Sequence, residues 1–269
     1  MSPALDLTIE RDGPLAIVIF DELQLKLTLL TKLALSIYQL ESDDSVKGII
    51  LTGRRNVFLG GADLKEFDRL TNADLARKFI DIPVVLMEQL SQCPKVIVAA
   101  INGYCIGGGL ELALACDFRV CVNRVLNTNG ESVPFIGLPE VGLGVVSPLG
   151  SSYFLPRIVG LGRAKEVMLT ADLMTAERAR DLGVVHAVAP DTELLPEAKR
   201  WAERVIKNGM FSVRSAKDLL NRSFDRASVK DALLAEREAF AACCETADKA
   251  ERIGAKVKSR KGQSCVTTS

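Results

Sequence analysis

Histidine is nearly missing from this chain: His186 is the only one in 269 residues. Any Ser-His-Asp or Cys-His mechanism would have to run through that single ring. It lies in LGVVHAV, an alternating strand-like stretch just after a helix stop at Gly183, where a structural role is expected. Net charge is missing too. Acidic and basic residues balance at 34 each, so no global field draws the chain to nucleic acid or an anionic membrane, and neither is expected as a partner. No uninterrupted apolar run reaches the ~18 residues of a membrane span. The nearest candidate, Val96 to Cys116, is broken by Asn102, several glycines and Glu111. The N-terminal MSPALDLTIERDG has no apolar h-region, so no signal peptide is expected. Seven cysteines form an odd, scattered set without paired metal-ligand spacing; free thiols in a reducing compartment, the cytoplasm, are expected, and no metal site. Carboxylates and backbone dipoles are left to do any chemistry.

What is present is an ordinary globular composition, 48% hydrophobic and 25% charged, long enough to bury a sizeable core. The chain is organised around residues 95–117, KVIVAAINGYCIGGGLELALACD. An apolar strand-like run, Val96 to Ile101, enters a turn at Asn102-Gly103. Gly107, Gly108 and Gly109 follow, and then Leu110 to Cys116 has helical spacing with Glu111 in its first turn. That order leaves backbone N–H groups unpaired at a helix start, where negative charge is favoured. A second glycine turn, Gly60-Gly61-Ala62-Asp63, follows the buried run Val46 to Thr52, and Asp63 suits the cap of a helix over Leu64 to Leu70.

The remaining pattern is a strand pair at residues 6–20 with a turn at Asp12-Gly13-Pro14, a helix over Leu25 to Leu40, and a long amphipathic helix from Thr71-x-x-Asp74 to Gln92. After the strand FRVCV periodicity fails, and Asn123 to Gly137 reads as a long loop delivering the chain to Leu138-Pro139-Glu140. Helices follow at Ser151 to Val159, Gly162 to Ala171 and Ala176 to Leu182, then a strand at Val184 to Val188. Beyond residue 190 everything reads as helix. Alternating strands and helices followed by helices alone predict an α/β core with a helical appendage, divided as 1–190 and 191–269.

Two glycine turns after two buried strands suggest an anion hole assembled from separate segments, and Glu111 and Glu140 suit paired acid/base work. The spacing G-x-x-x-G-G-G is not the dinucleotide fingerprint G-x-G-x-x-G, and no P-loop lysine follows.

Taken together, VKGIILTGRRNVFLGGADLKEF, KVIVAAINGYCIGGGLELALACDFRV, GLPEVGLGVV and SSYFLPRIVGLGRAKEVMLTADLMTAERARDLGVVHAV resemble the crotonase superfamily, whose best-known members are enoyl-CoA hydratases. The resemblance covers nearly the whole chain. It implies a ClpP/crotonase-type spiral of ββα units with a C-terminal all-helical trimerisation region, in homotrimers or hexamers that are dimers of trimers. It also implies an acyl-CoA thioester substrate and no cofactor, because coenzyme A is part of the substrate. Residue by residue, it places the oxyanion-hole N–H groups on Gly60 and Gly108, each worth roughly 3 kcal/mol to an enolate-like state. The two catalytic glutamates fall on Glu111 and Glu140, with Glu140 at the α-carbon and Glu111 helping to activate water. Gly61, Ala62 and Asp63 line the pantetheine and thioester channel. With both glutamates present, the implied reaction is hydration of a trans-2-enoyl-CoA.

Three features depart from the family pattern. Ser147-Pro148-Leu149-Gly150-Ser151 replaces a glycine-rich turn, the Asn123 to Gly137 loop is longer, and Lys256 stands where a phenylalanine is usual. They leave open an isomerase, or a specialised hydratase of cyclic, dienoyl, branched or carboxylated acyl groups. A non-enzymatic binding protein on the same fold is the reading from another class. The basic run Lys256 to Lys261 is expected as solvated charge, with contact to the phosphates of coenzyme A as its alternative.

Overall fold

The computed structural model describes residues 7–264, and side chains to Lys258. In chain order the elements are β1 (Leu7–Asp12), β2 (Leu15–Phe20), α1 (Leu27–Ser42), β3 (Gly48–Gly53), β4 (Val57–Leu59), α2 (Leu64–Phe67), α3 (Ala73–Gln92), β5 (Val96–Ile101) and β6 (Tyr104–Ile106). Then come α4 (Gly108–Leu114), β7 (Phe118–Val122), β8 (Val125–Leu126), β9 (Ser132–Val133), β10 (Ile136–Gly137), a 3-10 turn (Glu140–Leu143), α5 (Ser151–Val159), α6 (Leu161–Thr170), α7 (Ala176–Leu182) and β11 (Ala187–Ala189). The helices α8 (Asp191–Ile206), α9 (Met210–Asn221), α10 (Val229–Cys244) and α11 (Ala247–Ser264) complete it. Two compact units divide at Arg204 and Val205, near the end of α8.

The first unit is built on a six-stranded sheet in the order β1-β2-β3-β5-β7-β11. Only β1 and β2 are antiparallel; the other neighbours are parallel. All six residues of β5 are buried, as a parallel strand covered on both faces must be, which is why Val96 to Ile101 is an unbroken apolar run. A second sheet, parallel and three-stranded, has the order β10-β6-β4. Each of its strands follows a strand of the large sheet: β3 leads to β4, β5 to β6, and β7, after a small hairpin, to β10. A helix then returns the chain. This repeated strand–strand–helix step is the expected ββα spiral.

Four local expectations change, the first being the strand expected at Val184 to Val188, which is Ala187–Ala189 and leaves His186 outside it. Asn123 to Gly137 is not a featureless loop: β8 and β9 pair antiparallel, and Asn127 Oδ1 accepts the N–H groups of Asn129 and Glu131 at 2.9 and 3.0 Å across the hairpin turn. Strands of two residues are too short to show a period. Asn72, not Thr71, caps α3, accepting from Asp74 and Leu75. Leu25 stays outside α1 because its N–H is given to the carbonyl of Gly61, at 3.2 Å. His186 packs edge-on to Phe118 and Trp201, and its Nδ1 accepts the Arg119 N–H at 3.2 Å, the structural role expected of it.

In the second unit α9, α10 and α11 follow one another, with Ser228 capping α10. Leu220, Phe224, Val229 and Phe240 are 66% to 76% exposed. Lys256 and Lys258 are exposed on α11; the side chains of Arg260 and Lys261 lie outside the described residues. Among the described residues no helix is long and apolar enough to cross a membrane, no group of His, Cys, Asp and Glu could hold a metal, and the six cysteines form no disulfide.

Candidate active site

The three segments expected to carry chemistry leave the three strands of the small sheet at the same end. Gly60-Gly61-Ala62 follows β4, Gly107-Gly108 follows β6, and Leu138-Pro139-Glu140 follows β10. Because the strands are parallel, their carboxyl ends coincide, and a crevice outside those ends is where an open parallel sheet takes a ligand. A cavity of about 260 Å³ lies there, lined by Gly61, Ala62, Gly107, Gly108, Glu111 and Glu140 among others.

Two glycines make the close approach. Gly107 turns the chain from β6 into α4 at φ +58°, and a Cβ there would meet Glu140 Oε1 at 2.5 Å. Gly109 lets α4 lie against β4: its Cβ would stand 2.0 Å from the carbonyl oxygen of Leu59. A side chain at Gly109 would part α4 from β4, and one at Gly107 would strain the turn and displace the Glu140 carboxylate.

Glu111, in the first turn of α4, is fully buried. Its Oε1 accepts the N–H of Leu149 at 2.8 Å and of Ser151 at 3.0 Å, so the carboxylate seals the start of α5, where a negative charge is favoured. Oε2 has no partner among the described residues. Burial pushes its pKa up to about 7, hydrogen bonding from the Ser151 and Leu149 amides and from the Ser151 side chain holds it down, and the negative charge of Glu140 raises it further. Glu140 sits on the 3-10 turn, half-buried, and its Oε2 is likewise buried without a partner. Two carboxylates thus each keep one oxygen free at the same cavity.

Gly60 does not take the place expected for it. Its N–H donates to the carbonyl of Leu23 at 2.8 Å, tying the exit of β4 to the segment before α1, and Gly60 is not part of the cavity lining. The amide two residues on, Ala62, does border the cavity and donates to no acceptor among the described residues; so does that of Gly108. Asp63 also lies outside the lining. It caps α2, accepting the Lys65 N–H at 2.9 Å. The amides of Leu149 and Ser151 have no sequence signal, since any residue supplies an N–H. Their meeting with Glu111 depends on α4 packing against α5. The aromatic pair Phe67 and Phe79, edge to face at 6.4 Å, forms one wall and was likewise not legible from spacing.

The chain is similar to known proteins over most of its length. Residues 23–263 match the sequence model of the enoyl-CoA hydratase/isomerase family. A short-chain-enoyl-CoA hydratase of Clostridium acetobutylicum is 31% identical over 258 residues, 94% of this chain and 95% of the relative. A crotonyl-CoA hydratase of Syntrophomonas wolfei is 34% identical over 81% of this chain and 80% of its own. The crystal structure of an enoyl-CoA hydratase from Bacillus anthracis superposes with a TM-score of 0.85 at 30% identity, covering 95% of this chain and 97% of that one. With this agreement of sequence and fold, the chain belongs to the enoyl-CoA hydratase/isomerase family.

Proposed function

We propose that this chain is an enoyl-CoA hydratase that adds water to a trans-2-enoyl-CoA, or removes it in reverse, with Glu111 and Glu140 as its acid/base pair. One observation carries the reading: two carboxylates, each with a buried oxygen lacking a partner, meet two uncommitted backbone amides at one apolar cavity. The thioester oxygen accepts from the amides of Ala62 and Gly108, with Ala62 replacing Gly60 because the Gly60 amide is already bonded. These donors favour the enolate-like state as charge grows on that oxygen. Water is held by the free oxygens of the two glutamates. Its oxygen bonds to the β-carbon as one water proton passes by way of Glu140 to the α-carbon, while Glu111 accepts the hydrogen bond of the other O–H and helps to activate the water, so both carboxylates end as they began. Glu111, with a pKa raised to about 7, can take or give a proton near neutral pH.

Apart from the two glutamates, no side chain of the lining is ionisable. That supports an uncharged hydrocarbon acyl group over a carboxylated one, which would meet two carboxylates and no cation. Coenzyme A enters as part of the substrate, and no separate cofactor is needed. The exposed Leu220, Phe224, Val229 and Phe240 of the helical unit support burial in a homotrimer or a hexamer of two trimers, which sedimentation would test. The buried thiols of Cys93, Cys105, Cys116 and Cys121 support a reducing cytoplasmic setting.

The test is the loss of the conjugated-thioester absorbance of crotonyl-CoA, run beside a 3-enoyl-CoA. Hydration of the first with little isomerisation of the second is expected. Isomerisation alone would favour the isomerase. Absence of acyl-CoA binding in calorimetry would leave a binding protein that does not use this site.

A further inference from the structure

Ser151 stands behind the site, and its hydroxyl belongs to none of the roles above. It is fully buried at the first position of α5, it does not line the cavity, and its amide donates to Glu111 Oε1 at 3.0 Å. As placed, its hydroxyl meets no partner at full hydrogen-bond geometry and neither does Glu111 Oε2, yet the hydroxyl is close enough to Glu111 to lower its pKa. Hydroxyl and amide hang from the same Cα, so a group bonded to the amide lies within reach of the hydroxyl as it turns about χ1. A buried donor and a buried acceptor side by side, both unsatisfied, are each other's natural partner.

We propose that Ser151 is a positioning residue whose hydroxyl donates to the Glu111 carboxylate, as a third donor beside the amides of Leu149 and Ser151, keeping Glu111 ionised and its orientation fixed. This rests on the reading of Glu111 as half of the acid/base pair. The physical need is plain: burial and the charge of Glu140 both push Glu111 toward its neutral form, and a donor to the carboxylate opposes them. The other surroundings of Glu111 offer little help. Of the elements packed on α4, β4 carries no titratable side chain and β6 brings the buried thiol of Cys105, itself held neutral by burial, and Tyr104. On α5 the remaining candidates, Tyr153 and Arg157, stack on each other at 3.5 Å, Tyr153 being 38% exposed. Only Glu140 on the 3-10 turn adds a charge felt by Glu111, and it is of the wrong sign.

Two measurements on Ser151→Ala test this. The first is the pH profile of kcat/KM for crotonyl-CoA: the acid limb is expected to move up by about half a pH unit to one unit. Ser151→Thr, which retains the hydroxyl, should return the limb to its original place. The second is a carbon-NMR titration of the glutamate carboxylates in substrate-free protein, assigned with Glu111→Gln, in which the Glu111 resonance should titrate later in the Ala variant. An unmoved limb and an unmoved Glu111 titration in folded Ser151→Ala protein overturn the proposal. If the parent hydrates no enoyl-CoA, the functional reading fails while the titration still decides the role of Ser151.

Discussion

Glu111 and Glu140 are the same side chain in two different kinds of structure. Glu111 is on a helix whose every residue is buried, with one oxygen bonded to two amides of the next helix. Glu140 rides on a four-residue 3-10 turn with no buried residue, between Pro139 and a left-handed Gly144. The first is held on all sides and pays for burial with a raised pKa. The second is held mainly by its backbone and by the Gly107 turn it touches. A helix packed against two strands makes a fixed half-site, and an irregular segment brings its partner to it. The half around Glu140 is the open one: Leu143 and Val146, just past Glu140, line the cavity yet are 59% and 74% exposed.

The comparison can be broken most severely at Glu140. Glu140→Gln should lower kcat by about a thousandfold or more, the range for loss of a general acid or base, while acyl-CoA affinity in calorimetry changes little. Near-normal turnover would remove Glu140 from the chemistry. On the fixed side, Gly109→Ala drives a Cβ into the carbonyl of Leu59 at 2.0 Å, so α4 must move away from β4. Urea denaturation should show a loss of about 3 kcal/mol.

Glu111 itself separates the two halves by pH. Its folded-state pKa of about 7 lies above the ordinary 4.5, so the folded chain holds that proton more tightly than the unfolded one. The stability it contributes is complete below about pH 4.5 and is lost as pH rises through 7. Glu111→Gln keeps an oxygen for the two amides and removes the titration. Its advantage over the parent should therefore grow from pH 5 to pH 8, to on the order of 2 kcal/mol in parallel denaturation curves. A constant difference across that range would contradict the assignment. The smallest effect is expected away from both halves. Burial lowers the pKa of His186 to about 4, and nearby Arg119 lowers it too. Its contribution is present above about pH 6.5 and fades as pH falls toward 4. Because one side of the ring meets solvent, His186→Gln should reduce acid sensitivity by less than about 1 kcal/mol, and leave turnover unchanged.

Residues local in sequence carried much of this. The strand, glycine turn and helix around Gly107 to Glu111 are where the pattern places them, and so are the run of helices after residue 190 and the cap at Thr175 that starts α7. What failed had short or distant causes. The β8–β9 hairpin and β10 are two residues long, below any period, and Leu25 leaves its helix for a bond to Gly61 far along the chain.

By itself the sequence determined which segments could do chemistry, because glycine turns, apolar runs and caps act through local backbone preference. Only the tertiary structure decided how they meet. Three short parallel strands, β4, β6 and β10, bring three turns to one edge, and pairing between strands is a non-local bond that no spacing records. The same packing spent the amide of Gly60 on Leu23, left those of Ala62 and Gly108 uncommitted, and gave Glu111 its two donors and its raised pKa. Backbone N–H groups are alike in every residue, so which of them remain free is settled by folding alone.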